Sequence, residues 1–225
     1  MFRLFGPDHI AVLVILVASA AALLVLGRRL SGSADRGLRC GLAAILVGNE
    51  AIAYAAALAN GVVRVPLQLC DVAFFVTIWA LVTMKSVVSE VAYFWGLAGS
   101  LQAVLTPDLQ EAFPSYWWLK FFLSHCGIVL GVVLLAARGC VQPTARSVWR
   151  MWLLTNGYVL VAGIVNWLFG TNYGYLARKP MQPSLLDHFG PWPYYILGME
   201  LVALVSFYLY YAPFAVARWA RRRAA

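Results

Sequence analysis

Seven apolar runs shape this chain, near 9–27, 40–59, 66–84, 87–107, 116–137, 149–170 and 193–217. Each is long enough as a helix to cross the roughly 30 Å hydrocarbon core of a bilayer. In hydrocarbon every backbone N–H and C=O must find a partner within the chain, so runs of this kind fold as helices. The expected fold is all-α: a polytopic bundle of seven transmembrane helices forming one domain over residues 1–225. Hydrophobic residues make up 63% of the chain and charged ones 12%, which excludes an ordinary soluble globular protein. No internal repeat or low-complexity tract is visible.

The charges are placed as topology signals. Arg28 and Arg29 follow the first apolar run instead of preceding it, so that run reads as a retained helix and not a signal peptide. With the N-terminus outside, Arg28, Arg29, Arg36, Arg39, Lys85, Arg138, Arg146, Arg150, Arg218, Arg221, Arg222 and Arg223 fall on the cytoplasmic side, twelve of the seventeen basic residues. The opposite orientation leaves five there, so the positive-inside rule sets the N-terminus outside and the C-terminus in the cytoplasm. The net charge of +8 is thereby explained without nucleic acid. Cys40, Cys70, Cys126 and Cys140 show no metal-ligand or disulfide spacing.

Acids inside membrane segments carry the functional argument, because a carboxylate in hydrocarbon costs about 3 kcal/mol and faces protein, a partner or water. Asp71 lies in Pro66-Leu67-Gln68-Leu69-Cys70-Asp71. If helix begins at Pro66, Gln68 sits about 60° to one side of Asp71 and Cys70 about 100° to the other. Asn49 and Glu50 lie mid-helix in the second run, with Tyr54 one turn on as a candidate partner for Glu50. Gln102 ends the fourth run; in the fifth, Ser124 and His125 lie about two and a half turns below the outer start, with Lys120 higher up and able to snorkel. In the sixth, Asn156, Gly163, Asn166 and Gly170 form a small and polar stripe that favours close helix approach. Asn172, Arg178 and Lys179 lie on the long connection that follows, where a lipid headgroup contact competes with plain solvation. Glu200 lies about two turns into the seventh run.

At matched depths these residues imply one polar cavity opening to the outer face. Cys70 and His125 on separate helices, with Asp71 to orient the imidazole, suit acyl transfer through a thioester. Gln68, Gln102, Asn166, Asn172, Arg178, Lys179, Glu200 and Glu50 are the candidate substrate contacts. The alternative reading is an ion-coupled carrier of a small solute that uses the same buried acids, although no inverted repeat is visible. A metal-dependent lipid hydrolase would rest on Asp71, Glu200 and His125 alone, so neither metal nor cofactor is expected, and the expected partner is membrane lipid.

The strings PLQLCDVAFF (66–75), FWGLAGSLQAVLTPDLQ (94–110), FFLSHCGIVL (121–130), NYGYLARKPMQPSLLD (172–187) and GPWPYYIL (190–197) closely resemble the YwaF-like bacterial integral membrane proteins. That group is similar to eukaryotic transmembrane protein 164, described as a phospholipid acyltransferase with a catalytic cysteine and histidine. The resemblance covers nearly the whole chain and implies a multi-pass protein of the bacterial inner membrane that acts on lipid. It carries the histidine onto His125. The cysteine falls either on Cys70 or on the position of Leu67, and in the second case the thiol mechanism fails here. Bacterial relatives often carry His where this chain has Gln68, which hydrogen-bonds but takes no proton.

The topology is directly testable. A reporter fused after Arg223 should be cytoplasmic, and Ser115→Cys in a background without native cysteines should react with an impermeant thiol reagent from outside. Protection at 115 with labelling at a Ser147→Cys site would reverse the orientation.

Overall fold

The computed structural model describes residues 1–181 and 183–224. Among them the elements are helical throughout: α1 (Pro7–Leu26), α2 (Gly32–Ala59), α3 (Leu69–Thr83), α4 (Ser86–Trp95), a π-helical turn (Gly96–Leu101), α5 (Gln102–Leu105), α6 (Tyr116–Ala137), α7 (Ala145–Phe169) and α8 (Tyr194–Ala224), with short 3₁₀ turns between some of them. Helices α1, α2, α6, α7 and α8 are long and apolar enough to cross a membrane. Helix α3 has 15 residues, about 22 Å of rise, and the run over 86–105 is interrupted by its π-helical turn. Five of the seven expected spans are thus long and apolar enough among the described residues.

Local chemistry sets the helix ends. Pro7 opens α1, where its missing N–H costs nothing. Ser115 caps α6 by accepting from the Trp118 N–H at 3.2 Å, and Thr144 and Ser147 form a reciprocal capping box at the start of α7. Pro66 does not open α3 as its sequence position suggests. The helix begins at Leu69 because the preceding backbone is held otherwise: the Leu67 carbonyl accepts from the Tyr158 hydroxyl at 3.0 Å. Gln68 is therefore off the helix, and its expected angle to Asp71 does not apply.

Contacts cluster into two compact units. The first comprises Met1–Pro66 and Cys70–Val141, with α6 at its centre against α1, α2, α4, the π-helical turn and α5. Lipid tails are as apolar as Leu, so burial alone does not drive this association; close packing and internal polar bonds do. Glycines permit the approach. A Cβ on Gly127 would lie 2.7 Å from Leu46 of α2, one on Gly131 2.9 Å from Thr77 of α3, and one on Gly96 2.9 Å from Val132 of α6. Leu46, Phe74 and Ile128 form the buried core there.

One end of this unit is locked by charge. Asp35 of α2 pairs with Arg39 and with Arg138, each at 3.0 Å. Arg138 also donates to the carbonyls of Gly27 at 3.1 Å and Leu30 at 2.7 Å, past the end of α1, and Arg39 donates to the Leu81 carbonyl in the last turn of α3. At the other end His9 is fully buried, its Nε2 bonded to the Val104 carbonyl at 2.8 Å while Nδ1 accepts from the Phe5 N–H at 3.1 Å. A carbonyl only accepts, so His9 is the Nε2–H tautomer.

The second unit comprises Leu67–Leu69 and Gln142–Ala225, with α7 packed on α8. Gly170 adopts the left-handed φ of +64° and ends α7 as its C-cap. A Cβ on Gly163 would meet nothing within 4 Å. The two glycines expected to bring helices together thus contribute a cap and an open face instead. Phe189 lies on Gly198, where a Cβ would sit 2.3 Å from the ring.

Removing one partner of the Asp35 cluster strands buried charge. Asp35→Ala should lower unfolding stability by about 3–5 kcal/mol, read as a loss of resistance to denaturing detergent titration; a change below about 1 kcal/mol would show that the cluster is not the lock described.

Candidate functional site

Helices α2 and α6 face each other through polar groups in the middle of the first unit. The Lys120 ammonium lies 2.8 Å from Glu50 Oε2, each side chain 13% exposed. Asn49 Nδ2 donates to Ser124 Oγ at 2.8 Å and to the Lys120 carbonyl at 3.2 Å. Glu50 thus pairs with Lys120 and not with the Tyr54 hydroxyl, whose ring lies 6.0 Å from the Arg64 guanidinium. Lys120 does not snorkel, since its ammonium turns to an acid on the facing helix.

His125 follows directly on α6 and is buried. Its Nδ1 is 2.8 Å from the Phe121 carbonyl, which only accepts, so the proton sits on Nδ1 and the Nε2 lone pair is left available. The Phe121 ring lies 4.2 Å from the imidazole, centroid to centroid, and limits its rotation. Cys70 and Asp71 occupy the first turn of α3, both partly buried. There the helix's unpaired N–H groups favour negative charge. Cys70 and His125 are each within electrostatic range of Lys120.

Gln102 is exposed; its side chain donates to Thr106 at 3.0 Å in its own turn. Cys140 lies past the end of α6, where burial pushes its thiol above the ordinary range, which leaves it protonated and inert. Glu90 in α4 is 7% exposed, a buried acid that is not among the candidates legible in the sequence.

The remaining predicted residues belong to the second unit. Gln68 Oε1 accepts from the Gly174 N–H at 2.9 Å. Asn166 is 6% exposed and committed to the turn after α7: its Oδ1 accepts from Thr171 at 2.8 Å and from the Tyr173 N–H at 2.7 Å, and its Nδ2 donates to the Tyr173 carbonyl at 2.9 Å. Asn172 clamps the next turn through the N–H groups of Ala177 and Arg178 and the Arg178 carbonyl. Lys179 lies 3.9 Å from Asp187 and 5.6 Å from the Tyr195 ring. The Arg178 guanidinium is exposed and without a partner among the described residues. Glu200 accepts from Asn156 at 3.0 Å, across α7 and α8. Among the described residues no three His, Cys, Asp or Glu side chains converge closely enough to hold a metal ion.

The pairings of Lys120 with Glu50, and of Asn49 with Ser124, were the signals missed in the sequence. Opposite charges or complementary amides in facing spans are the pattern that would have found them.

Spans of this length with charges paired internally define a multi-pass membrane protein. The chain belongs to the TMEM164 family, whose model matches residues 4–211. No curated protein and no solved structure matches it.

Because Asn156 Nδ2 also donates to the Trp152 carbonyl at 2.9 Å, it keeps a partner when Glu200 is lost. Glu200→Leu should therefore cost only about 1 kcal/mol in detergent-titrated stability; a loss above about 3 kcal/mol would reveal a further role in folding.

Proposed function

We propose that the protein is a membrane enzyme transferring acyl groups on phospholipid through a thioester at Cys70, with His125 as general base, its imidazole oriented by the Phe121 carbonyl in place of Asp71. The observation that carries this reading is the fixed tautomer of His125. Its Nδ1 proton is spent on the Phe121 carbonyl at 2.8 Å, so Nε2 is the nitrogen able to take a thiol proton. Cys70 lies in the same compact unit, in the first turn of α3, so the thiol needs a base to take its proton. Membership of the TMEM164 family agrees with a lipid substrate without naming the reaction.

In this reading the chain crosses the bacterial inner membrane seven times as one domain, with α3 and the 86–105 run as the two irregular crossings and the N-terminus outside. Glu50 stands behind the acyl site through Lys120. Arg178, separately, contacts a phosphate headgroup in the membrane interface, since its guanidinium has no partner among the described residues. Gln68, Asn166, Asn172 and Lys179 shape the connection that carries Arg178, and Gln102 is a peripheral substrate contact.

The test is lipidomics of cells lacking the gene, complemented with the wild type or with Cys70→Ser, His125→Ala or Asp71→Asn. Loss of the base should reduce turnover by about 10²–10⁴-fold, so His125→Ala should reproduce the deletion profile at normal protein level. Full complementation by Cys70→Ser would end the thioester step. An unchanged lipid profile alongside altered uptake of a small solute would identify the carrier instead.

A further inference from the structure

Stability alone does not account for the Lys120–Glu50 pair. Two charges held 2.8 Å apart at 13% exposure lose most of their solvation, and apolar residues of similar volume generally hold a core as well or better. The pair is also unfinished. An ammonium has three N–H donors, and among the described residues Lys120 has one acceptor, Glu50. Nε2 of His125 likewise has no partner among them. Lys120 and His125 stand about 140° apart around α6, yet the ammonium is in electrostatic range of the imidazole and of the Cys70 thiol.

The net charge of the pair selects its occupant. Lys120 and Glu50 together are neutral, so a phosphate bound there would leave a full uncompensated negative charge in apolar surroundings. A carbonyl oxygen adds no charge when it binds and gains charge only as it is attacked, when the spare N–H groups become most valuable. We infer that Lys120 is a catalytic oxyanion donor to the carbonyl oxygen of an acyl ester, with Glu50 as the positioning residue that aims it.

The inference rests on the acyl-transfer reading and specifies its chemistry. His125 Nε2 removes the Cys70 proton, and the sulfur lone pair forms a bond to the acyl carbon. The C=O π pair moves onto oxygen, which Lys120 binds. Collapse restores the carbonyl and breaks the carbon–oxygen bond to the leaving alcohol, which takes the proton from His125 and leaves a thioester on Cys70.

Two reactions at one thiol separate the possibilities. In the full chain with Cys40, Cys126 and Cys140 replaced by Ser, para-nitrophenyl palmitate in detergent micelles acylates Cys70 through an oxyanion. Iodoacetamide alkylates the same sulfur by displacement of iodide and forms none. Lys120→Met should slow acylation by about 100-fold and leave alkylation within about 3-fold of the parent. Lys120→Met with Glu50→Met removes both charges and guards against misfolding from a stranded acid; it should show the same selective loss, and Lys120→Arg should retain most of the rate. Acylation unaffected by either methionine variant, or an equal fall in both reactions, would overturn the role of Lys120 while leaving Cys70 acylation standing. A parent protein that is alkylated but never acylated at Cys70 would overturn the acyl-transfer reading itself, and this inference with it.

Discussion

The charge cluster of Asp35, Arg39 and Arg138 holds one end of the first unit together. Each guanidinium pairs with the same carboxylate at 3.0 Å, and each donates to backbone carbonyls at the C-terminal end of a different helix, α1 for Arg138 and α3 for Arg39. A helix C-terminus carries about half a negative charge. Two such ends with Asp35 roughly balance two guanidinium groups, and the otherwise orphaned carbonyls are satisfied as well. The cluster thus closes electrostatically while tying α1, α2, α3 and α6.

The same requirement leaves a different result between α2 and the N-terminal part of α6. Lys120 and Glu50 neutralise each other, but the ammonium keeps spare donors where the two arginines at the locked end reach several acceptors. Several acceptors from different helices rigidify a fold; an ammonium with one acceptor, in electrostatic range of a thiol and an imidazole, has capacity for a ligand. His9 shows the saturated case for histidine, with both ring nitrogens engaged at 0% exposure, whereas His125 uses only one. That contrast separates a structural histidine from a candidate base more sharply than burial does.

Packing around α6 depends on what is missing from its surface. Leu46 fills the space a side chain at 127 would occupy, and Thr77 does the same at 131. In a bilayer, where apolar burial gives little net drive between helices, such close contact supplies dispersion energy that bulkier residues would forfeit. The second unit orders its long connection differently, by committing Asn166 and Asn172 to backbone groups of successive turns. In both units, polar side chains that look like binding groups in the sequence are partly consumed by the chain itself.

Sequence alone determined that the chain is helical and lies in a membrane, because hydrocarbon forces internal backbone bonding on any long apolar run. It also singled out Cys70, Asp71, Glu50 and His125, since charge and reactive groups are costly in that solvent. The start of α3 was not legible: Pro66 favours opening a helix there, yet the Leu67 carbonyl is bonded by Tyr158, 91 residues away. Gly170 in a small and polar stripe reads as a packing residue until its backbone turns left-handed as a cap. The partners of buried charges were decided by tertiary structure alone, because an ion pair such as Glu50 with Lys120 depends on which helix faces meet. Periodicity gives the face of one helix but not its neighbour, and only the packed bundle brings the two together.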